Sequence, residues 1–197
     1  MSAYSIVPPW DDIIRRLEQS EPGFNFHDTR LLDLGYSGML LRSLFGVYER
    51  MRFKRYQGGS PDAEECYGYP LSYHRYQDAR EELPSLPSLT PEEVEDTFVL
   101  QQSTAQEFLA TCREGFDLIV ISNLLHLNEV KEDWRFIVQS SIEHLGPNGV
   151  IYVKVFQHDI GHGYLADSEL HELGEMIQAK PETLSSHPES AVVLGRY

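Results

Sequence analysis

The sequence predicts an α/β protein: an open, doubly wound, mostly parallel sheet with helices on both faces. Three observations carry this. FDLIVIS (116–122) and VIYVKVF (150–156) are almost continuous apolar runs, as expected of strands buried on both faces of a parallel sheet. Stretches with helical apolar spacing alternate with such runs along the chain, the order that builds parallel strands joined by crossover helices. The 197 residues, 41% hydrophobic and 24% charged, match one globular domain spanning 1–197 rather than a fibrous or disordered chain. In such sheets ligands sit beyond the carboxyl ends of the strands.

The elements follow in order. WDDIIRRLEQS (10–20) sets Trp10, Ile13, Ile14 and Leu17 at helical spacing, within an N-terminal helical segment 1–27. After a turn-rich connection at 21–29, Leu31 to Leu34 form a short buried strand ending at Gly35. A helix follows, with Leu40, Leu41, Leu44, Phe45, Tyr48 and Met51 on one face. MRFKRYQGG (51–59) reads as a second strand and SPD (60–62) as a turn. Residues 61–96 carry five of the 11 prolines and four tyrosines, Tyr67, Tyr69, Tyr73 and Tyr76, so little regular structure is expected there beyond a short helix near Pro91–Val94. An insertion of that length is a lid over a site or a surface excursion. TFVLQQ (97–102) is a strand and AQEFLAT (105–111) a short helix. Residues 123–145 hold a helix with Trp134, Ile137, Val138, Ile142 and Leu145 inward, before a turn at GPNG (146–149). SELHELGEMI (168–177) is helical and SAVVLGRY (190–197) a terminal strand.

Charge narrows the function. Sixteen Lys and Arg against 31 Asp and Glu leave a net −15, a field that repels phosphate backbones. The basic run Arg50, Arg52, Lys54 and Arg55 alternates like a solvated strand face. Nucleic acid is therefore a disfavoured partner. Cys66 and Cys112 form no metal or disulfide pattern and read as reduced thiols. No apolar stretch approaches the ~18 residues of a membrane span, and the N-terminus lacks a basic-then-apolar leader. A cytoplasmic protein away from membranes is expected.

Two segments carry a family likeness. LLDLGYSG (31–38) resembles the first motif of class I S-adenosylmethionine (SAM) methyltransferases, and FDLIVISNLLHL with IEHLGPNGVIYV resembles their next hallmark. The likeness covers roughly residues 28–157. It implies a Rossmann-like fold, SAM as cofactor and methyl transfer to a small-molecule acceptor. It places the cofactor at Asp33, Gly35, Tyr36, Ser37 and Gly38, with Asp62, Ser103, Thr104 and Ser122 at the ends of the following strands. Glycines at 35 and 38 permit a sharp bend and close approach, and the helix start beyond them suits a carboxylate. The sequence departs from the family in three places. Tyr36 and Ser37 stand where a middle glycine is usual. Gly58 stands where an acid usually holds the ribose, leaving Asp62 as the next candidate. Ser103-Thr104 replaces a frequent Gly-Asp. These departures leave a catalytically silent binding protein as the first alternative.

Asn123, His126 and Lys154 are the catalytic candidates. Asn123 can hydrogen-bond an acceptor or cap the next helix, and His126 can take a proton or pack beneath the sheet. VKVFQ (153–157) also resembles a strand of heat-shock-type RNA ribose 2′-O-methyltransferases, which use a Lys-Asp-Lys-Glu tetrad. Lys154 matches the second lysine and Glu189 the glutamate, but Asn123 occupies the aspartate position and residues 12–16 hold no lysine. That makes RNA ribose methylation the second alternative, with Lys154 otherwise a solvated or pocket-edge residue. His158, His162 and His171, with Asp159 and Glu172, cluster in sequence, but Gly161 and Gly163 interrupt any helix there, so no metal is expected.

Overall fold

A computed structural model describes residues 10–20, 24–34, 40–59, 73–125, 127, 130–157, 163–184 and 187–197, without the side chains of 20, 40–43 and 187–189. A seven-stranded sheet runs β3-β2-β1-β4-β5-β7-β6, with β1 Arg30–Leu34, β2 Arg55–Gly59, β3 Phe98–Gln101, β4 Phe116–Ser122, β5 Leu145–Phe156, β6 Glu182–Leu184 and β7 His187–Arg196. Pairs β2–β3 and β4–β5 are parallel, while β7 runs antiparallel to both β5 and β6. This is the expected mostly parallel α/β sheet with its helices. No described helix is long and apolar enough to cross a membrane. The chain divides into two compact units, 1–31 with 36–103, and 32–35 with 104–197.

In the first unit, α1 (Trp10–Ser20) buries Trp10, Ile13, Ile14 and Leu17, as their spacing predicts, while Asp12 pairs with Arg15 and Arg16 on the outer side. Helix α2 (Leu40–Met51) buries Leu44, Phe45, Tyr48 and Met51. The basic run is not a strand face. Arg50 lies in the last turn of α2 and pairs with Glu18, and Arg52 takes a left-handed backbone (φ 53°) after the helix; only Arg55 begins a strand. The Arg52 guanidinium bonds the carbonyls of Glu49 and Ser85 and lies 5.8 Å from the Tyr48 ring.

The insertion is more ordered than its composition suggests. Helix α3 (Tyr73–Glu82) buries Tyr76 and Ala79, and α4 (Pro91–Thr97) begins with a reciprocal Thr90–Glu93 cap. The Tyr76 ring packs 5.5 Å from Phe45 and 5.8 Å from Phe98, and its hydroxyl donates to the Pro87 carbonyl. Burial raises its pKa well above the ordinary tyrosine value. Residues 73–97 are thus tied into an aromatic core rather than laid over the surface.

In the second unit, α5 (Ala105–Thr111), α6 (Trp134–Glu143) and α7 (Asp167–Ile177) pack on one side of the sheet. Leu32, Leu34, Ile119, Ile121, Ile151, Val153, Val155, Ala191 and Val193 face them in one core with Phe108, Trp134, Ile137, Val138 and Leu173. Ile142 and Leu145 pack at its margin, and Leu145 already belongs to β5. The expected GPNG turn lies inside β5 as an irregularity. Leu145 pairs with Phe116 and Val150 with Leu118, so 146–149 bulge opposite a single residue, and Asn148 takes φ 62°. Strand β6 was not expected from sequence. At the other margin Gly195 lets β7 touch α7, because a Cβ there would strike the carbonyl and Cγ2 of Ile177.

Candidate functional site

Strand alternation decides what the carboxyl end of the sheet displays. With Leu32 and Leu34, Ile119 and Ile121, and Val153 and Val155 facing the helical core, Asp33, Ser122 and Lys154 point to the opposite face. They stand on the adjacent strands β1, β4 and β5, and Ser122 is the register partner of Lys154. All three are buried, at 2%, 6% and 7% exposure. An acid, a hydroxyl and an ammonium are rarely buried without function or partners. Asp33 and Lys154 both engage other groups. Ser122 Oγ has no hydrogen-bond partner among the described residues.

Lys154 is therefore not solvated. Its Nζ lies 5.9 Å from the Phe156 ring centroid. Asn123 does not cap a helix: α6 begins eleven positions later, after Asp133. Instead Asn123 is exposed in the left-handed region (φ 56°), and its N–H donates to the Lys154 carbonyl at 3.0 Å. That bond extends the β4–β5 ladder by one rung and turns the chain out of the sheet. Asparagine is among the few residues that adopt this backbone at low cost.

Thr104 caps α5. Its hydroxyl accepts from the Glu107 N–H at 3.2 Å and its N–H donates to the Glu107 carboxylate at 2.9 Å. The Thr104 N–H and hydroxyl hold the Glu107 carboxyl below its ordinary pKa. Thr104→Ala is expected to cost about 1 kcal/mol in urea denaturation. A matching loss of affinity for S-adenosylhomocysteine (SAH) would assign Thr104 a cofactor contact as well.

Two polar groups of the first unit lack partners among the described residues, Gln57 Oε1 on β2 and Ser103 Oγ just past β3. Between them the structure explains an anomaly of the sequence. A Cβ on Gly58 would meet Tyr56 Cε1 at 2.9 Å and its hydroxyl at 3.2 Å. The Tyr56 ring, fully buried, occupies the side-chain space of the residue that the family likeness expects to be acidic.

Gly35, Tyr36, Ser37, Gly38, Asp62 and His126 lie outside the described residues, as do His158, Asp159 and His162. His171 is exposed and pairs with Glu175, and Glu172 forms a two-bond pair with Arg135, so neither approaches the sheet end. Among the described residues no group of His, Cys, Asp and Glu could hold a metal ion. One residue escaped the sequence reading. Ser190 on β7 is the register partner of Phe156, fully buried, with its Oγ lacking a partner among the described residues. Its position two residues before Val192 in an alternating strand was the only available signal.

No protein-family model matches the chain, and no curated protein matches its sequence. Solved structures do share its fold. The N-methyltransferase NodS of Bradyrhizobium japonicum WM9, crystallised with SAH, superimposes with a TM-score of 0.52 at 15% identity over 95% of this chain and 87% of that one. An O-methyltransferase family protein from Burkholderia thailandensis gives 0.54 at 12% identity over 95% and 57%. TehB of Haemophilus influenzae gives 0.58 at 14% over 94% and 61%. At these identities the likeness is one of fold.

Proposed function

We propose that the protein is a SAM-dependent methyltransferase acting on a small-molecule acceptor. The carrying observation is the buried Asp33 at the carboxyl end of β1, one strand from a Ser122 hydroxyl that has no partner among the described residues, on a sheet whose fold is shared with methyltransferases. That NodS was crystallised with SAH supports the same cofactor class here. The free thiol Cys112 accords with a reducing, cytoplasmic setting.

SAM, when bound, supplies a methyl group on a sulfonium, ready for in-line displacement. The residues fit its amino-acid end, since a carboxylate at 33 complements an ammonium and the Ser122 hydroxyl has no partner among the described residues. The protein's part is alignment and exclusion of water. The Asn123 backbone is held by its N–H bond to the Lys154 carbonyl, and its exposed side chain can orient the acceptor. Lys154 brings a cation to the same strand ends, and His126, three residues after Asn123 in the sequence, is the proposed proton acceptor. Cofactor contacts at Gly35 to Gly38, Asp62 and Ser103 remain part of the proposal. Buried Lys154 also fits the RNA ribose methyltransferase reading, which the net charge of −15 opposes.

Thermal denaturation with SAM and SAH tests the proposal. Ligand at about 100 times its Kd should stabilise the protein by about 2.7 kcal/mol. No rise in Tm at millimolar ligand would favour the silent binding protein instead.

A further inference from the structure

We infer that the outer face of α6 is a docking surface for a basic protein segment, one that lays an arginine on the Phe136 ring. This goes beyond the proposed methyl transfer and does not rest on it. Helix α6 is bonded to α5 through Asp133 and Gln106, and to α7 through Arg135 and Glu172. Its buried stripe is Trp134, Ile137, Val138 and Ser141, so Phe136, Gln139 and Glu143 fall on the opposite, solvent side.

Phe136 is 47% exposed, one of two large apolar side chains exposed among the described residues. The other, Tyr164, already carries a cation of its own chain: Lys131 Nζ lies 5.1 Å from its ring centroid. The Trp134 ring likewise lies 4.6 Å from the Arg135 guanidinium. Of the three rings, Phe136 has neither a cation nor another ring against it among the described residues. A phenyl face takes a guanidinium better than an ammonium, because the planar ion stacks as well as attracts.

Charge fixes the sign of the partner. Asp133 at the start of α6 and Glu143 at its end carry carboxylates bonded by amide groups, Gln106 Nε2 at 3.2 Å and Gln139 Nε2 at 3.1 Å, and no cation among the described residues pairs with either. The cations at hand, Lys131 and Arg135, are taken by Glu169 and Glu172, and α7 has no lysine or arginine of its own. The two carboxylate positions stand about 15 Å apart along the helix axis. About five residues of extended chain cover that span, so basic residues at alternate positions meet Asp133, Phe136 and Glu143 in turn. A second copy of this chain would bring the same acids and a net −15 of its own.

Fluorescence anisotropy of dye-tagged hexaarginine and hexalysine on the full chain tests the surface. Hexaarginine should bind more tightly than hexalysine. Phe136→Ala and Phe136→Leu should each weaken hexaarginine about threefold or more, and Phe136→Trp should strengthen it, the order expected of a cation on a ring rather than of apolar contact. Glu143→Gln should weaken both peptides about threefold, while Glu92→Gln, an exposed position on α4, leaves both unchanged. Because Phe136 is exposed, its variants keep the parent Tm. Equal binding of the two peptides, or hexaarginine affinity untouched by Phe136→Ala, would mean that net charge alone attracts them and would overturn the surface. A dimer in light scattering that Phe136→Ala abolishes would overturn it too, assigning the face to a second copy.

Discussion

Replacing Trp134 by alanine is expected to destabilise the fold by about 3–5 kcal/mol, the range for truncating a buried aromatic. Trp134 opens α6, is fully buried, and sits in the one core that joins α5, α6 and α7 to the sheet. Its indole N–H has no partner among the described residues, so truncation removes packing without stranding an acceptor. The Arg135 guanidinium, 4.6 Å from the ring centroid, loses its aromatic face as well. Urea denaturation followed by circular dichroism measures the change. A loss below about 1 kcal/mol would mean that the helical layer is held by something other than this core.

The second large effect concerns ligand binding. Asp33→Ala is expected to weaken SAH about 10- to 100-fold, since a hydrogen bond to a charged group contributes about 1.5–3 kcal/mol. Asp33→Asn keeps the shape and should fall between. Both variants need a Tm measured without ligand, because Asp33 is buried and has partners of its own. Undiminished SAH affinity in a folded Asp33→Ala protein would show that the amino-acid end of the cofactor is held elsewhere.

How much of this was readable from the residues depended on how local each signal was. Apolar runs such as 116–122, and helical stripes such as Trp10, Ile13, Ile14 and Leu17, carry their own periodicity, and those elements stand where it put them. Helix α3 was hidden because the prolines of 61–96 were counted across the whole insertion, although Tyr73–Glu82 contains neither proline nor glycine. Strand β6 is three residues long and exists through its pairing with β7, a contact that no local window contains.

The site divides in the same way. Ser122, Asn123 and Lys154 were visible because ligands gather at the carboxyl ends of parallel strands, and the structure sets them side by side. Lys154 was misjudged as solvated because a lysine in an apolar run does not reveal which neighbours cover it. Ser190 depends wholly on register: only its pairing with Phe156 brings it near the lysine.

The packing of Tyr56 over Gly58 constrains any attempt to rebuild this protein. Installing aspartate at 58 alone forces the new Cβ against an aromatic ring that has no room to swing, wedged 5.8 Å from Phe53 and 6.5 Å from Trp10. Shrinking Tyr56 alone opens a void in the same aromatic layer. Each step is harmful by itself, and only the joint exchange relieves both faults. The two positions form an epistatic pair, and a lineage or a designer must cross them together to recover an acid on that strand.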